Sequence, residues 1–124
     1  MRVWLAVALG GALGACLRHG CNRWLAAMTP QWPWSTLLVN VLGSLLAGLL
    51  YALIVERGLL PASWRPLLLV GLLGALTTFS AFALEAVLLI ESGRMLAVVA
   101  HVVGNVTLAL GAAMAGLTLV RLLP

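Results

Sequence analysis

The sequence contains no lysine and no aspartate, and only 8% of its residues are charged. A water-soluble domain carries about a quarter, so this chain cannot clothe a water-facing surface. Its basic residues are arginines scattered among apolar runs. No basic patch with interleaved aromatics forms, which sets nucleic acid aside as a partner despite the high pI. Cysteine is scarce too. Cys16 and Cys21 lie five residues apart, on different faces of a helix, and this argues against an internal disulfide. With His19 they match no zinc-ligand spacing.

What is present is apolar: 64% of the chain is hydrophobic. The pattern predicts an all-α integral membrane protein, one four-helix domain over residues 1–124. Its spans fall at about 3–25, 36–55, 67–90 and 95–119, each near the ~20 residues a bilayer requires. Pro30 and Pro33 break the first span from the second. "ERGLLPASWRP" (56–66) reads as a loop and "ESGR" (91–94) as a tight turn. The opening "MRVWLAVALGGALGAC" is similar to a lipoprotein signal, but three further apolar spans, not a soluble cargo, follow it.

Four spans put both termini on one side of the membrane. That side holds Arg2, Arg57, Arg65 and Arg121; the other holds Arg23, Arg94 and Arg18. The positive-inside rule therefore gives almost no bias, which points either to insertion in both orientations or to one topology fixed by a residue or two. Gly104, Thr107, Gly111, Ala115 and Thr118 fall within about an 80° arc of the fourth span. They read as a packing seam, within the chain or between chains.

The polar groups inside the spans are the candidates for function, because each needs a partner in lipid. Asn40 and Asn105 each have two readings: an interhelical hydrogen bond, or a donor lining a path for an anion. His101, one turn before Asn105, reads as a packing or interfacial group ahead of a proton relay. Arg18 either snorkels to the interface or supplies positive charge in a wet vestibule. Glu85 either faces water, pairs with an arginine, or serves as the protonatable acid of a carrier.

The densest polar cluster is "GLLGALTTFSAF" (71–82). Gly71 and Gly74 weaken the helix, and Thr77, Thr78 and Ser80 can bond freed backbone groups. Together they permit a mid-span break, where carbonyls can hold a cation. The alternative is a continuous helix with a small-residue packing face. Phe79 and Phe82 share one side; such pairs are packing in most helices, yet the positive ring edge can also face an anion.

With "GGALGACLR" (10–18) and "TLLVNVLGSLLAG" (36–48), this segment resembles the three signature stretches of the Fluc (CrcB) fluoride channels, in order, spacing and total length. The resemblance implies a passive, fluoride-selective channel rather than an enzyme. It would sit as a multi-pass protein in the cell inner membrane and export fluoride from the cytoplasm to lower its toxicity. The implied assembly is an antiparallel, dual-topology homodimer with two pores and the third helix broken. Phe79, Phe82, Asn40, Ser80 and Asn105 would line the pores, Arg18 would stand in the vestibule, and Glu85 would be a pore-side acid. A structural sodium ion would be held by the backbone carbonyls of Gly74 and Thr77. The chain departs from the family pattern at Ala75, where a second glycine is common, at Ala81, where a threonine is usual, and at His101, where a tyrosine is usual. Two other readings compete: a proton-coupled small multidrug exporter, whose first-span glutamate is missing here, and an assembly subunit with no transport of its own.

Overall fold

The computed structural model describes residues 1–28 and 33–124, and every regular element among them is helical. Helix α1 is Arg2–Met28 and α2 is Trp34–Tyr51, the latter running on through wider π-helical turns at Ala52–Glu56. A 3-10 turn, Ala62–Trp64, opens the third span, which continues as π-helical Pro66–Leu73 and then as α3, Gly74–Leu76. After a break the span resumes as α4, Phe79–Glu91; α5 is Met95–Arg121. Among the described residues, four segments are long and apolar enough to cross a membrane: Arg2–Met28, Trp34–Glu56, Ala62–Glu91 and Met95–Arg121.

The third segment starts earlier than the sequence suggests, because its prolines do not stop it. Pro61 is extended and precedes the first turn, and Pro66 falls in the first turns, where a missing N–H costs little. Pro33 stands at the N-cap of α2; Pro30 lies outside the described residues. The turn after α4 closes on Gly93, whose φ of 72° is left-handed.

Glycines decide which helices meet. Gly10 and Gly14 on α1 lie against the backbone of Leu67 and Leu72 in the third span. Gly48 on α2 faces Ala113 and Leu117, while Gly116 on α5 faces Leu45 and Leu49. Leu67 and Leu72 follow Gly10 and Gly14 in order, and Asn40 meets Asn105 as Glu56 meets Arg121, so the closest neighbours are the parallel first and third spans and the parallel second and fourth. A methyl group at any of these glycines would meet neighbouring backbone and force the helices apart, an overpacking cost of about 1–3 kcal/mol.

The small-residue stripe of α5 is not the seam of this subunit. Thr107, Gly111, Ala115 and Thr118 are exposed, and the two threonine hydroxyls bond back to Val103 and Met114 carbonyls at 2.7 and 2.8 Å. The buried face instead carries Ala97, His101, Asn105, Gly116 and Val120. Large apolar side chains such as Leu13, Leu17, Leu110 and Met114 point outward, as lipid-facing positions do. At one end Arg121 forks onto Glu56 at 2.6 and 2.8 Å, and Arg57 donates to the carbonyls of Arg121, Leu123 and Pro124. These charges tie the ends of the second and fourth spans together.

Candidate functional site

The third span breaks at two threonines. Leu76 ends α3, and Thr77 and Thr78 are extended, with ψ of 154° and 121°. The glycines expected to cause the break do not sit in it. Gly74 is helical, and Gly71 is buried against Val7, Gly10 and Gly11 of α1. Thr78 restarts the helix instead: its hydroxyl accepts from the Ala81 N–H at 3.2 Å as an N-cap. The Thr77 hydroxyl closes the preceding turn by donating to the Leu73 carbonyl at 2.8 Å.

A break inside a membrane frees backbone groups that water cannot reach. Asn40 answers this for Thr78. Its Oδ1 accepts from the Thr78 N–H at 2.8 Å, and its Nδ2 donates to the Thr78 carbonyl at 3.2 Å. The side-chain amide pairs with the chain as a neighbouring strand would. The same Nδ2 donates to Asn105 Oδ1 at 3.0 Å, and Asn105 Nδ2 then reaches the His101 carbonyl at 3.0 Å and His101 Nδ1 at 3.4 Å. His101 Nε2 stands 3.5 Å from Glu85 Oε2, and Glu85 Oε1 accepts from the Thr36 hydroxyl at 2.6 Å. One polar line thus runs from the break through α2, α5 and α4. Thr36, His101 and Asn105 are buried along it.

The carbonyls that a continuous helix would bond across the break lose their donors, those of Gly74 and Thr77 among them. The Thr78 N–H, which would bond Gly74 in a continuous helix, goes to Asn40, and the Ala81 N–H, which would bond Thr77, goes to the Thr78 hydroxyl. Gly74 is exposed at the subunit surface.

Thr78 also separates two cavities. One is an open groove of about 410 Å³ lined by Asn40, Ser44, Thr77, Phe79, Phe82 and Asn105, among others. Phe79 is 78% exposed and stacks at a tilt on Phe82, with centroids 5.4 Å apart; Phe82 in turn lies 5.2 Å from the His101 ring. The other cavity, about 430 Å³, is lined by Arg18, His19 and Asn22 of α1 together with Thr78, Ser80 and Leu84. The structure therefore brings Phe79, Phe82, Asn40 and Asn105 into one groove and leaves Ser80 and Arg18 in the other. The Ser80 hydroxyl lies 3.2 Å from that of Thr78 and marks the boundary.

Sequence reasoning missed Thr36 and Asn22. Thr36 stands one turn before Asn40, and that spacing was the available signal. Asn22, one turn after Arg18, holds a buried Oδ1 with no hydrogen-bond partner. Chemically, the groove offers ring edges and a fully paired amide line. The second cavity offers a guanidinium, a hydroxyl and an unpaired amide oxygen.

Comparison with known proteins bears on what this geometry serves. The family described as CrcB-like protein, Camphor Resistance (CrcB), matches residues 5–117. A protein of Paracoccus denitrificans named fluoride-specific ion channel FluC is 48% identical over 118 residues, covering 95% of this chain and 94% of its own. Proteins of the same name from Aeromonas salmonicida and Saccharophagus degradans are each 45% identical. The first covers 97% of both chains; the second covers 94% of this one and 88% of its own. With a match across nearly its whole length, this four-span chain belongs to the CrcB family.

Proposed function

We propose that this channel protein conducts fluoride passively out of the cytoplasm, as an antiparallel homodimer with two pores and a structural sodium ion. The observation that carries the reading is the break at Thr77 and Thr78 beside Phe79 and Phe82, in a chain whose curated relatives are named fluoride-specific ion channels.

Fluoride is small and strongly hydrated, so a pore must replace its water with donors. Phe79, largely uncovered on the groove, presents a ring whose positive edge suits an anion. Phe82 and then His101 continue that ladder inward. Asn40 and Asn105 contribute by holding the wall, since their amide hydrogens are engaged within the chain. Arg18 and Ser80 line the second cavity, where a guanidinium raises the local anion concentration. Hydrogen fluoride enters cells neutral and ionises in the more alkaline cytoplasm, so fluoride leaves down its own gradient and no ATP is needed.

Sodium suits the break because its preferred ligands are oxygens and the Gly74 and Thr77 carbonyls have lost their helical donors. Bound there, the ion would supply fixed positive charge and tie the two subunits together. An open groove on one face of the subunit and the near balance of arginines support a dimer of opposed copies.

Four outcomes are expected. Liposomes loaded with potassium fluoride and given valinomycin release fluoride quickly and chloride not at all. Phe79→Ile or Phe82→Ile cuts the flux at least tenfold with the dimer intact, and unchanged flux in both variants returns the rings to a packing role. Replacing all sodium with N-methylglucamine during purification destabilises the dimer, whereas indifference to sodium removes the ion from the account. A C-terminal tag is reached by protease from both faces of the membrane, and one-sided protection rules out opposed insertion.

A further inference from the structure

The two asparagines and the imidazole form a line in which each group's orientation fixes the next. Asn40 meets both the N–H and the C=O of Thr78, so its amide can sit only one way round. Its Nδ2 then faces Asn105, which must present Oδ1, at 3.0 Å. The Asn105 Nδ2 is thereby turned towards His101, where it reaches the carbonyl and Nδ1. A donor facing Nδ1 requires that nitrogen to carry no proton. The neutral ring must therefore hold its proton on Nε2, the atom 3.5 Å from Glu85 Oε2. Among the described residues, neither Nε2 nor that oxygen has a hydrogen-bond partner.

We propose that His101 is the positioning residue of the groove, and that protonating it at Nδ1 breaks the line and lowers fluoride passage. This rests on the channel reading given above. An added Nδ1–H points a donor at the Asn105 donor. Asn105 cannot turn to offer its oxygen without setting its Nδ2 against that of Asn40, and Asn40 is held by Thr78. The acid form therefore loses either the 3.4 Å contact of Asn105 with the imidazole or the Asn40–Asn105 bond, next to a ring that packs on Phe82. From α4, Glu85 is the ionisable group that faces His101, with Oε2 3.5 Å from Nε2. From α2 the neighbours are Thr36, through Glu85, and the uncharged Pro33, Trp34 and Leu37. From α5 itself the neighbour is Asn105, whose Nδ2 faces Nδ1.

The test compares fluoride efflux from proteoliposomes between about pH 5 and pH 8, with the leak of neutral hydrogen fluoride through protein-free vesicles subtracted. The native channel should lose roughly three-fold or more of its flux towards the acid end, and His101→Gln, which keeps one acceptor and one donor, should show a flat profile. Glu91→Gln, at the exposed end of α4 and outside both cavities, should keep the acid fall. Native and His101→Gln profiles of the same shape, or flux that rises with acid, would overturn the proposal. A second readout needs no transport and no change at position 101. Nitrogen-15 spectra of the His19→Gln protein report His101 alone, since the chain has two histidines. The Nε2–H tautomer at neutral pH is expected; the Nδ1–H tautomer would overturn the proposal. Absence of native flux at pH 7.5 would instead count against the channel reading itself, leaving the tautomer to be judged separately.

Discussion

Asn40 lends a side-chain amide to a peptide that has left its helix. A broken helix in a membrane leaves N–H and C=O groups without water, at several kcal/mol each in hydrocarbon. One residue on α2 satisfies both groups of Thr78 at 2.8 and 3.2 Å. Without that pairing, the Thr78 peptide would have no side-chain partner and would depend on the cavities beside it. The rest follows from it: α4 restarts at Phe79, the two phenylalanines face the groove, and the Gly74 and Thr77 carbonyls are freed.

The packing is arranged so that this exchange is possible. Gly43, one turn on from Asn40, leaves room for the Thr77 methyl, and a methyl group there would collide with it. Gly10, Gly14 and Gly71 bring α1 tight against the half-span before the break, while Gly48 and Gly116 lock α2 to α5. The half-span before the break is thus held by α1 on one side and by α2 on the other. The weaker packing lies after the break, where α4 touches mainly α5 and the polar line through His101 and Glu85 supplies the tie.

Much of this was legible in the sequence, for identifiable reasons. Scarce charge and long apolar runs gave the four spans, since lipid imposes length and composition directly. The threonine pair marked the break because hydroxyls in lipid need a use. Its agent was less legible. Glycine weakens helices in general, and Gly71 and Gly74 drew the blame; yet here one serves close packing and the other is helical. The α5 stripe has the same limit: a run of small residues says that something approaches closely, not what, and among the described residues of this subunit nothing covers it. The pairing of first with third span and second with fourth has no local signature, so the partners of Glu85 stayed hidden until Thr36 and His101 were placed around it. Asn22 stayed hidden because an amide near a span's end is unremarkable until its oxygen is found buried and unpaired.

The central claim is that Asn40 holds the Thr78 peptide, and backbone amide exchange at Thr78 tests it most directly. Thr78 lines both cavities, so water can reach its neighbourhood once the hydrogen bond opens. In the reconstituted native protein this amide should exchange slowly, and in Asn40→Ala at least about tenfold faster, the signature of lost local protection. Equal exchange in the two proteins would mean that the break is held by something other than Asn40, and the account built on that pairing would fail.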